Sequence, residues 1–248
     1  MADYRQYQIS QMANVETYLE SELSAEQILE FGFEHVAIAT GSNWRRDGVA
    51  RFHITPIDID DGMPLFTPDD LIDGKLPTGD VVLFDDDHFY MGGVLAELLV
   101  KAGNSVTLVT PSAFVSEWTQ NTLEQATIHK KLAEMGVNIQ LNRAVTKIGR
   151  GGVETECVFT GKANDITADA AVLVTAQIPK DEIWNELKAQ SNRYNDCGIK
   201  SVKVIGDAQA PGPIAWATYA GHRYAQELDE PDIGDALPFK REVAGLLN

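Results

Sequence analysis

The sequence predicts an α/β protein in which one strand–helix–strand domain interrupts another, and three observations carry that expectation. A complete βαβ pattern runs from Val81 to Thr110. Two short apolar runs that break at glycine, "VAIATG" at 36–41 and "VIGDAQAP" at 204–211, lie on either side of it. The 248 residues are 44% hydrophobic and 23% charged, enough to bury one large core or two smaller ones.

In chain order, Tyr4, Tyr7, Ile9 and Met12 sit at mixed helical spacing and "NVETYLES" then alternates, so a helix and a strand open the chain. Ser24 with Gln27 three residues later forms a capping box for a short helix through Phe31, which Gly32 ends. "HVAIATG" reads as a buried parallel strand with Thr40 and Gly41 at its carboxyl end. The stretch from Ser42 to Gly79 is rich in Asp, Pro and Gly, has few periodic apolar residues, and reads as a connector. The βαβ unit follows: strand Val81–Phe84, a turn, a helix from about Gly92 to Ala102 closed by Gly103, and strand Ser105–Thr110. A helix Thr122–Met135 ends at Gly136, and "VNIQL", "AVTKIG", "GVETECVF" and "AAVLVTA" supply further strands. "VKVIGDAQAP" gives a last strand, ending in Gly206 and Asp207, before a helix from about Ile214 to Leu228. The resulting boundaries are 1–78 with 178–248 for the outer domain and 79–177 for the inserted one. No repeat of fixed period is present.

Charge and composition exclude several functions. Twenty basic residues against 37 acidic ones leave a net charge of −17, and no stretch gathers enough Lys or Arg to neutralise a run of phosphates. Nucleic acid and membrane are therefore not expected partners. The N-terminal sequence lacks an apolar leader and no segment approaches the roughly 20 apolar residues that span a bilayer, so the chain reads as cytoplasmic. Cys157 and Cys197 stand alone, the five histidines never take a metal-ligand spacing, and no Gly-x-Ser-x-Gly occurs, which leaves no metal site and no hydrolase site. The four tryptophans read as core or interface anchors.

The turn of the βαβ unit is unusual. A dinucleotide site needs glycines there, so that backbone N–H groups reach a pyrophosphate at the helix N-terminus. "VVLFDDDHFYMGG" places Asp85, Asp86 and Asp87 in that position instead, where they repel a pyrophosphate and occupy the amides themselves. The second strand also lacks its ribose-binding acid, ending in Thr110, Pro111 and Ser112. A Mg²⁺-holding receiver-type pocket would require another Asp at the end of a later strand, and none is present. The aspartates are expected to cap the following helix.

The order of "VAIATG" and "VIGDAQAP" around an inserted βαβ domain resembles the flavoprotein disulfide-reductase type of fold, an FAD-type Rossmann-like domain interrupted by an NAD-type one. "ATGSNWRRDGV", "FTPDDLIDGKLP", "DDDHFYMGGVLAELLVKAGNSVTLVT", "IWNELKAQ" and "IGDAQAPGPIAWATYAGHRYAQELDE" resemble the C-terminal region of the trimethylamine, dimethylamine and histamine dehydrogenases, relatives of dienoyl-CoA reductase. The likeness covers about Asp3 to Arg241. It implies that the NAD-type domain is degenerate, because electrons in this family leave through a [4Fe–4S] cluster to an electron-transferring flavoprotein. It also implies that Thr40, Gly41, Gly206 and Asp207 are half of an ADP- or FAD-type site. Gly41 and Gly206 alternatively serve as tight strand exits.

The family's FMN barrel, its cluster cysteines and its first glycine-rich strand have no counterpart here. FMN and [4Fe–4S] are thus expected only in a missing N-terminal part, on the same or a separate chain, and ADP or FAD is expected to bind weakly. No catalytic residue carries over. The expected role is structural or ADP-binding, and a homo-oligomer is compatible with it. The rival readings are a free-standing NAD(P)H-dependent flavin reductase and an acidic scaffold subunit without nucleotide.

Overall fold

The structure, a computed structural model, describes residues 2–228. Along the chain the elements are α1 (Ala2–Ser10), α2 (Ala25–Phe31), β1 (His35–Ile38), β2 (Ser42–Trp44), β3 (Asp58–Ile59), β4 (Leu65–Phe66), α3 (Pro68–Ile72), β5 (Asp80–Asp85), α4 (Met91–Lys101), β6 (Ser105–Val109) and α5 (Gln125–Glu134). There follow β7 (Asn138–Gln140), β8 (Arg143–Gly149), β9 (Gly152–Cys157), β10 (Ala163–Thr167), β11 (Ala170–Val174), β12 (Gln177–Pro179), α6 (Glu182–Ala189), β13 (Ser201–Val204) and α7 (Ile214–Gln226). Short 3-10 turns occupy Glu117–Thr122, Ser191–Arg193 and Gly206–Ala208.

The chain divides into two compact units. Of the described residues, one takes those up to Ile38 with Asp181–Val204, the other Ala39–Lys180 with those from Ile205 to Leu228. The outer domain expected from sequence ran through residue 78 and resumed at 178. Residues 39–78 share the second compact unit with the middle of the chain, where β4 pairs with β11, β3 with β8 and β2 with β12.

In the first unit β1 and β13 form a parallel ladder, with His35 opposite Ser201 and Ile38 opposite Val204. Ala25 and Leu29 of α2, Ile38, Leu187 of α6, Ile199 and Val202 make its core. The capping box on α2 is present, with Ser24 and Gln27 bonding each other's backbone amides, and Gly32 ends the helix in the left-handed region. The expected buried strand is only partly buried: of β1, Ile38 alone is fully covered. The expected strand over "NVETYLES" does not form, since residues 14–21 find no partner strand and stay exposed.

The second unit is built on a five-stranded parallel sheet in the order β4-β11-β5-β6-β7. Strands β5 and β11 are almost wholly buried, as expected of a sheet covered on both faces. Alternation sorts their side chains. Val81, Leu83, Val172 and Val174 meet Leu71 of α3, Leu95 and Leu99 of α4 and Leu132 of α5, whereas Val82, Phe84, Ala171 and Leu173 meet Val145, Ile148 and Val153. Those last three belong to a second sheet, β10-β9-β8-β3, of which β8, β9 and β10 run antiparallel. The βαβ expectation therefore holds almost to the residue. The connector expectation does not, because Ser42–Gly79 contributes β2, β3, β4 and α3.

Cys157 and Cys197 are free thiols. Among the described residues no group of His, Cys, Asp and Glu could hold a metal ion, and no helix is long and apolar enough to cross a membrane.

Candidate functional site

In open α/β sheets ligands sit beyond the carboxyl ends of the strands. At the ends of β5 and β6 lies a cavity of about 270 Å³ lined by Arg51, Phe52, Asp86, His88, Pro111, Ser112 and Glu117. A larger hollow of about 580 Å³, lined by residues such as Pro64, Pro77, Gly79 and Asp169, sits at the amino ends of β5 and β11, the end of such a sheet where ligands are not held.

The Asp85–His88 turn walls the first cavity, and its carboxylates do not cap α4. The residue preceding that helix is Tyr90, which makes no side-chain cap. The aspartates instead fold back. Asp85 Oδ1 accepts from the amides of Asp87 at 3.2 Å and His88 at 3.1 Å. Its other oxygen, Oδ2, is buried without a partner. It lies over Gly92, where an added Cβ would fall 2.5 Å from Asp85 Cγ. Asp86 Oδ2 accepts from Phe52 N at 2.8 Å. Asp86 Oδ1 approaches His88 Nε2 at 3.1 Å, an ion-pair contact whose angles do not make a hydrogen bond. The capping expectation failed because β5 ends inside the core, which makes the nearest free amides those of the turn rather than those of the helix.

Burial sets the protonation of these groups. Asp85 is fully enclosed and its pKa is pushed up to about 7; the His88 amide, the His88 charge and the Asp87 amide offset part of that rise. Burial also raises Asp87, opposed by Arg51. For His88, burial pulls the pKa down, but contact with Asp86 and the charges of Asp85 and Asp86 outweigh it and the net shift is upward.

Arg51, Phe52 and Glu117 had no signal in the sequence. Arg51 and Phe52 come from the supposed connector, and Arg51 lies over the rings of Phe89 and Trp118, 5.6 and 5.7 Å from their centroids. Those two rings stack at 5.8 Å. Glu117 accepts from Ser112 Oγ at 2.7 Å, so a carboxylate does stand beyond β6, contributed by the 3-10 turn rather than the strand. Trp118 and Trp216 are about half exposed rather than core anchors, whereas Trp44 and Trp184 pack against cores.

The sequence-derived ADP-type residues lie elsewhere. Thr40 and Gly41 are two and three residues beyond Ile38, and Gly206 and Asp207 are two and three beyond its ladder partner Val204. Thr40 Oγ1 donates to the Lys180 carbonyl, and the Gly41 carbonyl accepts from Lys180 N at 2.9 Å. Gly41 has φ +80 and faces open space, and Gly206 has φ +61 with Ala217 no nearer than 3.8 Å to an added Cβ. Asp207 Oδ1 accepts from Gly212 N at 3.3 Å. No hydrogen bond among the described residues joins the first pair to the second.

Residues 66–186 match the OYE-like second alpha/beta domain. Dimethylamine dehydrogenase of Hyphomicrobium sp. (strain x) is 31% identical over 97% of the chain and 36% of its own length. The solved structure of histamine dehydrogenase from Rhizobium sp. 4-9 is 60% identical, with a TM-score of 0.93 over 100% of this chain and 38% of that one. A 6-hydroxypseudooxynicotine amine oxidase from Pseudomonas geniculata N1 is 41% identical, with a TM-score of 0.84 over 89% of this chain and 33% of that one. At 16% identity the flavoprotein disulfide reductase RclA of Escherichia coli shares the fold alone, with a TM-score of 0.54 over 78% of this chain and 44% of its own. The chain thus spans a little over a third of the length of the dehydrogenases it matches. It is an α/β protein homologous to the dimethylamine and histamine dehydrogenases.

Proposed function

We propose that this chain is the C-terminal nucleotide-fold portion of an amine-dehydrogenase-type iron–sulfur flavoprotein and carries no complete active site of its own. In this reading the residues up to 78 and from 178 derive from an FAD- or ADP-type domain, and residues 79–177 from an NAD-type domain that has lost its ligand. The carrying observation is the Asp85 turn. The amides that a pyrophosphate would use are bonded to Asp85 Oδ1, and the space above Gly92 is filled by the same carboxyl group. That arrangement speaks against a free-standing NAD(P)H-dependent reductase.

The open β1–β13 ladder supports a partner. Parallel sheets are ordinarily covered on both faces and rarely stop at two strands. Here Ala37 is exposed, and Phe31 and Phe33, stacked at 5.8 Å, are about two-thirds exposed. Further polypeptide bearing the FMN and [4Fe–4S] barrel is the reading's occupant, and an electron-transferring flavoprotein is the acceptor for the whole enzyme, which oxidises an amine by N-demethylation or deamination. Thr40, Gly41, Gly206 and Asp207 fit the flanking half of an ADP or FAD site, since Gly41 keeps open the space a side chain would take. When bound there, FAD would supply redox chemistry and ADP only a structural anchor.

Purified alone, the chain is expected to be colourless and to leave NADH unoxidised. A flavin spectrum after purification, or NADH turnover, would overturn this reading.

A further inference from the structure

The Asp85–His88 turn ties down both loops that wall the cavity beyond β5 and β6. Asp86 Oδ2 holds Phe52 N, the Asp87 carbonyl accepts from Arg51 Nε at 3.2 Å, and the His88 carbonyl accepts from Trp118 N at 3.0 Å. The Arg51–Phe89–Trp118 stack lies across the same place. What fixes the turn is charge-dependent. Asp85 Oδ2, Asp86 Oδ1 and His88 Nε2 are all buried without an aligned hydrogen bond, and His88 holds a left-handed φ of 68 that a residue with a Cβ adopts at a cost.

We propose that this turn is a proton-operated latch: with Asp85 neutral and His88 charged it closes the crevice, and loss of those protons frees the Arg51–Phe52 loop and Trp118. With both protons in place Asp85 is neutral and the charged His88 ring faces Asp86 Oδ1 at 3.1 Å. Without them Asp85 adds a negative charge beside an imidazole that has lost its positive one, with Asp85 fully buried and His88 nearly so. The neighbouring charges do not reverse that sign. Asp87, in the same turn, favours the proton on Asp85, and Arg51 opposes the one on His88. Glu117, from the 3-10 turn, lines the same cavity as His88, and His53 packs its ring on Phe84 and Phe52. Helix α4 presents Gly92 to Asp85.

Both pKa values lie above their ordinary ones, Asp85 at about 7, so the closed form binds the extra protons and closure weakens as pH rises. One proton linked to opening changes the opening constant up to about tenfold per pH unit. The test is amide hydrogen exchange of the full chain between about pH 5.5 and 8.5, corrected for the intrinsic pH dependence of exchange. Opening at Phe52 and Trp118 is expected to rise up to about tenfold per unit toward pH 7, with loss of the His88 proton adding to the rise. The amide of Leu83, in the middle of β5, should not follow. Asp85→Asn should flatten the part below pH 7. Equal slopes at all three amides, or a slope untouched by Asp85→Asn, would overturn the latch. Should that variant not fold, the Asp85 carboxyl carbon of the unaltered chain is titrated by NMR. A midpoint near 7 that coincides with the exchange profile is expected, and one near 4 sinks the proposal.

Discussion

Replacing Gly92 by alanine tests the placement of the buried Asp85 carboxyl group directly. The new methyl would lie 2.5 Å from Asp85 Cγ and 2.9 Å from its Cβ, well inside the ~3.5 to 4.0 Å of ordinary carbon contacts. Two responses are open to the protein. Asp85 could swing away and lose both amide bonds, at roughly 0.5 to 1.5 kcal/mol each for the mostly neutral carboxyl group at pH 6, or the turn and α4 could absorb the strain at about 1 to 3 kcal/mol. The two cost about the same, and so closely opposed a pair belongs at the upper end of about 3 kcal/mol. Alanine returns about 1 kcal/mol in helix propensity, leaving a net loss of about 2 kcal/mol. For a chain of this size that is a fall in Tm of about 4 to 8 °C, measured by circular dichroism at pH 6. The contact is pairwise, so Gly92→Ala introduced into an Asp85→Ala background should be neutral or stabilising by up to about 1 kcal/mol. An unchanged or raised Tm for the single variant would mean that Asp85 does not occupy the space above Gly92.

Three further outcomes are expected. Replacing Asp85, Asp86 and Asp87 by Gly, Ser and Gly should not create tight NADH binding, because Phe89 and Trp118 still cover the turn and β6 still ends in Thr110, Pro111 and Ser112; low-micromolar binding by calorimetry would contradict this. ADP should raise the Tm of the chain little or not at all, since the amides of a glycine-rich first turn are lacking; a strong shift that survives Gly41→Leu would show that the site lies elsewhere. Asp70 is raised by burial but lowered further by Arg46 Nη2 at 2.5 Å and the Thr67 amide at 2.9 Å, so its folded pKa falls below the ordinary value. Its contribution is therefore present above about pH 4 and lost as pH falls through the folded value, and the stability gap between the unaltered chain and Asp70→Asn, followed by urea denaturation, should narrow below pH 4. A gap constant down to pH 3 would count against the Arg46 pairing.

The parts of the fold legible in the sequence were those whose signal is local and dense. "VVLFD" and "SVTLV" are runs too apolar to be anything but buried strands, and the glycines after α4 and α5 mark their ends without help from tertiary structure. Ser24 and Gln27 likewise define α2 by themselves. The segment 42–79 was illegible because β3 and β4 are two-residue strands, too short for any periodicity, that exist only through β8 and β11 far along the chain. The alternation in "NVETYLES" misled for the converse reason, a strand pattern with no neighbour to pair with. At the turn, composition showed that three carboxylates stand there but not which amides they bond. Whether a carboxylate bonds the helix ahead or the turn behind depends on how deep the strand ends, and Arg51, Phe52 and Glu117 reach that place from segments with no pattern of their own.

The β1–β13 ladder also has a kinetic consequence. Its paired residues His35 and Ser201 stand 166 apart in sequence, a non-local contact of the kind that slows folding. The intervening stretch is nonetheless closed at its own base, where β2 pairs antiparallel with β12 and Lys180 N donates to the Gly41 carbonyl. Once that clasp has formed, the span to be bridged by the ladder shrinks to a few tens of residues, which removes roughly 1.5 kcal/mol of closure entropy. The insertion should therefore fold first and act as a covalent tether for the strands on either side. Substitutions that weaken the β2–β12 clasp should slow the last folding step by about as much as they lower the final stability and leave unfolding little changed.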